Sequence, residues 1–168
     1  MQLIVTGSIA FDYLMSFPGR FTEHFLPEHM ERLSLSFLVD SMDKRRGGCA
    51  PNIAYTLALL GERPQLMATA GQDFGDYRQW LDAAGIDTSL VRALPDKFCA
   101  SFFCSTDQHN NQIASFYTGA MANAAELSFR SLPGLSKEAP GSFGEMMASP
   151  QGPAVRNDNW PASAIAPV

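Results

Sequence analysis

The chain opens on a short unbroken apolar run at residues 2–7 that closes on Gly7, the pattern of a buried strand. Residues 21–27 (Phe-Thr-Glu-His-Phe-Leu-Pro) read as a short turn or helix, and residues 33–39 (Leu-Ser-Leu-Ser-Phe-Leu-Val) alternate apolar and polar. That alternation predicts a strand with one wet face rather than a central parallel strand buried on both. Residues 52–60 (Asn-Ile-Ala-Tyr-Thr-Leu-Ala-Leu-Leu) predict a helix, with Gly61 placed for a left-handed C-terminal stop. A strand over 64–70 and a second helix over 74–84, ended by Gly85, come next. Strand–helix–strand–helix alternation points to βαβ units and a parallel sheet, hence an α/β fold. Residues 98–106 and 112–118 flank Asp107-Gln108-His109-Asn110-Asn111, a hairpin signal whose Asn-rich tip tolerates positive φ.

The pattern lapses near residue 130. Residues 130–168 carry Pro133, Pro140, Pro150, Pro153, Pro161 and Pro167, six of the chain's eleven prolines, with no sustained apolar period. Such a segment buries too little apolar surface to offset its ordering entropy. A disordered or non-native tail is expected there, with a linker to a missing partner as the other reading, and the folded part is expected over residues 1–129.

Composition narrows the class. With 168 residues, 46% of them hydrophobic and 17% charged, the chain suits one globular domain with a proper core. Net charge is −5 and the basic residues are scattered, so no nucleic-acid partner is expected; the one cluster, Lys44-Arg45-Arg46, is too short for such a surface. It reads as a solvated approach to the turn behind it, or as an attractor of an anionic co-substrate. Cys49, Cys99 and Cys104 form no C-x-x-C pair and are odd in number, which argues for reduced thiols. No residue near Cys49 signals a lowered thiol pKa. His24, His29 and His109 lack metal-ligand spacing, so no metal site is expected. No basic flank precedes residues 3–5 and no window nears the ~20 apolar residues of a span, so a cytoplasmic setting without membrane contact is expected.

The candidate chemistry begins at Gly47-Gly48-Cys49-Ala50-Pro51-Asn52. A diglycine leading into a first helical turn presents free backbone N–H groups and one amide side chain, and Pro51 fits that turn because its missing N–H would be unpaired there. Polyhydroxylated ligands need such donors and acceptors at close backbone approach, which glycine permits. Asp12 lies just beyond the first apolar run, where a carboxylate can reach the crevice at the carboxyl edge of the sheet and accept two hydroxyls; capping of the following turn is the structural alternative. Asp73, between Gly71 and Gly75, suits the N-cap of the helix over 74–84.

These residues resemble the N-terminal signature of the PfkB (ribokinase-like) carbohydrate and nucleoside kinases, adenosine-kinase-like members above all. Gly47, Gly48, Ala50, Asn52, Ala54, Gly61 and Gly71 fall at the family's spacing; residues 5–12 (Val-Thr-Gly-Ser-Ile-Ala-Phe-Asp) look like its first strand, ending in a substrate-binding Asp; and Gly71-Gln72-Asp73-Phe74-Gly75 with Gly85-Ile86-Asp87-Thr88-Ser89 resembles its G-x-D-x-x-G and G-I-D-T-S block. The resemblance covers roughly residues 1–129. It implies a ribokinase-like three-layer parallel sheet with a small β-lid, here truncated after the N-terminal half, with lid segments about 12–40 and 97–118. It further implies that Asp12, Gly47, Gly48 and Asn52 hold sugar hydroxyls, with Phe37 and Phe116 on lid strands as apolar walls ahead of Phe11.

The family transfers the γ-phosphate of ATP, with Mg²⁺, to a sugar hydroxyl. Its anion hole and base come from a D-[T/S]-x-G-A-G-D motif, and neither that motif nor a Walker A sequence occurs in these 168 residues. The chain therefore reads as the substrate-binding part of a sugar or nucleoside kinase, inactive as it stands. The alternative is a non-catalytic sugar- or nucleoside-binding or lid-dimerisation module, since an exposed lid strand invites pairing between copies. A Rossmann dinucleotide binder is disfavoured, because no G-x-G-x-x-G follows residues 2–7.

Overall fold

The computed structural model describes residues 3–25 and 34–127; His29, the first residue of the alternating run at 33–39 and the tail expected at 130–168 lie outside them. Strand β1 (Ile4–Thr6) enters the body, β2 (Ala10–Ser16) leaves it, and β3 (Ser41–Gly47) returns. Helix α1 (Cys49–Leu59), β4 (Gln65–Gly71), α2 (Gly75–Ala83) and β5 (Val91–Leu94) follow. Then β6 (Ala100–Thr106) and β7 (Gln112–Tyr117) form a hairpin that ends in a 3₁₀ segment, Gly119–Glu126.

Two sheets result. The body sheet has the order β1-β4-β5 with every pairing parallel. Strand β4 is buried from Leu66 to Gly71, as a strand covered on both faces must be. Stacking of Tyr55 on Trp80, centroids 4.6 Å apart, puts α1 and α2 side by side on one face of that sheet. The 3₁₀ segment packs on β4 and is tied to β5 through Arg92–Glu126 at 3.1 Å. Val5, Leu66, Ala68, Ala70, Tyr77, Leu81 and Ile86 fill the core between. Both helices stop where the sequence predicts, with Gly61 at φ 89° and Gly85 at φ 83°.

The second sheet is the lid, ordered β3-β2-β6-β7, with β2 antiparallel to β3, parallel to β6, and β6 antiparallel to β7. Here the sequence reading needs correction. The alternating residues from 34 to 39 form no strand; the lid strand is Ser41–Gly47, six residues of which are polar or exposed. Alternation alone does not make a strand, because a strand needs a partner for its backbone, and β2 takes Ser41–Gly47 in register from Ser16 to Ala10. Phe37 instead joins an aromatic cluster with Phe17, Phe21 and His24, at centroid distances of 5.0, 4.8 and 5.5 Å.

The hairpin tip is built on one side chain. Asp107 Oδ1 accepts the N–H groups of His109 (2.8 Å) and Asn111 (2.9 Å), and Oδ2 accepts the N–H of Phe21 (3.0 Å) and the Asn111 amide (2.9 Å). Asn110 takes the positive φ, 61°. Burial works against the carboxylate, but these donors outweigh it and hold its pKa low, at about 2. A depressed carboxylate pKa contributes stability above its unfolded value, near 4, and loses it as pH falls through about 2. Protection of amides at residues 101–117 and 21–24, relative to their intrinsic exchange rates, is therefore expected to fall between pH 4 and 2, and Asp107→Asn to abolish that step. A step of equal size in Asp107→Asn would show that other carboxylates cause it.

Candidate functional site

Chain geometry brings part of the sequence-predicted set together. Strand β1 ends at Thr6, and Gly7-Ser8-Ile9 carries the chain across the start of α1, where the Ala50 N–H donates to the Ser8 carbonyl at 3.4 Å. Asp12 is thus not the end of the first strand, as its sequence suggests, but the third residue of β2, inside the lid. The break falls where the chain must leave the body sheet to reach the lid.

Within the lid, Asp12 pairs with Arg45 on β3 and with Phe102 on β6, and Phe102 pairs with Phe116 on β7. Cross-strand partners project from the same face, so Asp12, Arg45, Phe102 and Phe116 share one face of the sheet. Arg45 turns to Asp43, 3.3 Å away, and leaves the half-buried Asp12 carboxylate to other partners. Phe116 is 54% exposed on this face. Phe102 is a member of the set that sequence reading missed; its signal was only its register with Asp12, which no linear pattern reveals.

The diglycine meets Asp12 directly. A β-carbon built on Gly47 would overlap Asp12 Oδ2, so the carboxylate lies against bare backbone. Gly48, the N-cap of α1, has φ 96°, and a β-carbon there would overlap the Ser8 carbonyl oxygen. Glycine is required at Gly48 by contact with backbone and by backbone conformation, while at Gly47 its missing side chain leaves the room that the Asp12 carboxylate takes. The Gly47 carbonyl accepts the Tyr77 hydroxyl at 3.0 Å.

Helix α1 starts at Cys49, so Pro51 and Asn52 occupy its first turn and Asn52 is exposed. Among the described residues no side-chain hydrogen bond joins Asn52 to Asp12; only its carbonyl is engaged, by the Thr56 hydroxyl at 2.9 Å. Cys49 is exposed beside the turn, its N–H donating to Ser8 Oγ at 3.3 Å and its Sγ 3.5 Å from that oxygen. Burial pushes the thiol up, but the Ser8 hydroxyl and the backbone N–H groups at the helix start outweigh it and lower its pKa, contrary to the sequence expectation. Ser8 lies 41 residues away along the chain, which is why the flanking sequence hides this.

Phe37 does not reach the Asp12 row among the contacts seen, and sits in its cluster with Phe17 and Phe21. Phe11 points to the opposite face, against Tyr77, with Lys44 Nζ 4.0 Å over its ring. Asp73 does not cap α2 as its position suggests: it accepts the Cys99 N–H at 2.8 Å and joins the β4–α2 loop to the start of β6. Among the described residues no cluster of His, Cys, Asp and Glu could hold a metal, and no helix is long and apolar enough to cross a membrane.

The two glycines are expected to fail differently when replaced. Gly48→Ala forces a side chain into a disfavoured φ against backbone and should cost about 1–3 kcal/mol in denaturant melts. Gly47→Ala meets the end of a side chain, so it should cost less stability and displace the Asp12 carboxylate. Equal melts for Gly48→Ala and wild type would refute the turn geometry.

Comparison with known proteins bears on the family and the fold. Residues 8–136 match the family described as pfkB family carbohydrate kinase. A nucleoside kinase of Methanothermobacter thermautotrophicus is 33% identical over 121 residues, 71% of this chain and 36% of that protein. The structure of Burkholderia thailandensis nucleoside kinase in complex with inosine aligns with TM-score 0.62 at 41% identity, over 80% of this chain and 42% of that one. Methanocaldococcus jannaschii nucleoside kinase, an archaeal member of the ribokinase family, aligns with TM-score 0.63 at 26% identity, over 76% and 40%. The chain thus spans between 36% and 42% of the length of these relatives. Its fold is ribokinase-like, and with the family match running from the turn before the lid through the hairpin, the chain belongs to the pfkB family of carbohydrate kinases.

Proposed function

We propose that the chain is the substrate-recognising part of an ATP-dependent nucleoside kinase in a cytoplasmic setting. One observation carries the reading: the Asp12 carboxylate lies against the bare backbone of Gly47, beside the start of α1 and in one row with Phe102 and Phe116. A carboxylate that can accept two hydroxyls suits a ribose. Two exposed or half-exposed rings on the same face suit a flat base. Gly48 and Asn52 complete the polar side, and Phe37 is left as an outer wall of the lid. The inosine bound by the Burkholderia thailandensis relative supports a purine nucleoside as the ligand.

The second half of the chemistry is separate. Phosphoryl transfer needs a nucleotide site, Mg²⁺, an anion hole and a base. General-base catalysis is typically worth about 10²–10⁴-fold, and an oxyanion-type donor a further ~10²–10³. No D-[T/S]-x-G-A-G-D is present in this sequence to supply them. ATP-dependent phosphorylation by the 168-residue chain is accordingly expected to equal the buffer rate.

Binding is the property to measure. Charge-assisted hydrogen bonds contribute about 1.5–3 kcal/mol each, and two or three of them, less the cost of immobilising the ligand, correspond to roughly millimolar affinity. In ligand-observed NMR, inosine and adenosine should bind wild type; Asp12→Ala should abolish the signal, Asn52→Ala weaken it less, and His109→Ala at the hairpin tip leave it unchanged. Equal signals from wild type and Asp12→Ala would refute the site.

A second reading, association through the lid, is favoured by β7. Every residue of this edge strand is exposed, and Ile113 and Tyr117 are 40% and 46% accessible on the face opposite Asp12. An edge with apolar side chains that pairs with no further strand among the described residues invites a second copy. Sedimentation velocity should show concentration-dependent dimers that Ile113→Lys removes; a monomer at every concentration would discard this reading.

A further inference from the structure

We propose that Tyr77, which no motif in the sequence singles out, positions the Asp12–Gly47 pair and thereby sets the strength of hydroxyl recognition. The inference rests on the reading of Asp12 as the group that grips the sugar. Tyr77 lies on α2, in the body, and is 1% exposed. Its hydroxyl donates to the Gly47 carbonyl at 3.0 Å, and its ring meets Phe11 with centroids 5.5 Å apart.

These contacts fall on both lid strands that build the site. Phe11 immediately precedes Asp12 and projects from the other face of β2, so the Tyr77 ring braces the strand directly behind the carboxylate. Gly47 ends β3, and its carbonyl fixes the backbone against which Asp12 Oδ2 rests. One side chain of the body therefore sets both halves of the pair. The Arg46 guanidinium, 5.9 Å over the Tyr77 ring and 5.3 Å over Trp80, holds the same corner from the lid side. Burial pushes the Tyr77 phenol up, so the hydroxyl stays a donor at neutral pH.

Tyr77→Phe keeps the ring and deletes the donor. Thr88→Val, which deletes the 2.6 Å bond to Asp82 at the far end of the same helix, is the control for a purely structural effect. Two measurements on the 168-residue chain separate the outcomes. In hydrogen exchange, Tyr77→Phe should speed residues 47–50 several-fold while residues 65–71 stay as in wild type, and Thr88→Val should leave 47–50 unchanged. In saturation-transfer NMR, Tyr77→Phe should lower the ratio of inosine to 2′,3′-dideoxyinosine affinity about tenfold, because only inosine offers the ribose hydroxyls. Unchanged exchange at 47–50, the same effect from Thr88→Val, or an unchanged ligand ratio would each overturn the proposal. If wild type binds no inosine, the reading of Asp12 falls and exchange at 47–50 alone decides whether Tyr77 holds the turn.

Discussion

The site depends on two missing β-carbons. At Gly47 the space that a side chain would fill is taken by the Asp12 carboxylate, and at Gly48 by the backbone of the Ser8–Ala10 link. Sheet pairing between β2 and β3 could tolerate many residues, but at Gly48 this approach of strand, turn and helix start tolerates only glycine, and at Gly47 a side chain would displace the carboxylate. Because the turn is this tight, α1 begins immediately after the lid strand ends. Two donors of its first turn, the N–H groups of Cys49 and Ala50, are then taken up by Ser8.

A lid sheet that projects from a body needs ties at both ends. At its base, Phe11 enters the core against Tyr77, and Gly47 is bonded to the same residue. At its tip, Asp107 gathers the hairpin turn and the N–H of Phe21, so the two excursions of the chain are fastened together by one carboxylate. Between these ties the sheet is thin: β3 is mostly exposed and β7 wholly so. Such an element keeps its register through its ends.

Much of this was legible in order along the chain. Local patterns named β1, α1, β4, α2 and the β6–β7 hairpin, because each is governed by near neighbours: apolar periodicity, a left-handed glycine stop, an Asn-rich tip. The misreadings share one cause. Residues 34–39 alternate but pair with no strand among the described residues, while the charged stretch Ser41–Gly47 pairs with β2. Asp73 sits where a cap would sit, yet its carboxylate accepts the Cys99 N–H from 26 residues away. Cys49 looked ordinary until Ser8 was placed beside it.

The sequence by itself determined the class of the protein and the spacing of its glycines, since a diglycine before a helical turn and glycine stops after two helices are local steric requirements. Only the tertiary structure decided that Asp12 stands in the lid, that Phe102 and Phe116 share its face, and that Tyr77 reaches Gly47 across 30 residues. Those facts follow from strand register and from the packing of a body helix behind a lid strand. Both are contacts between residues remote in sequence, which no local pattern encodes.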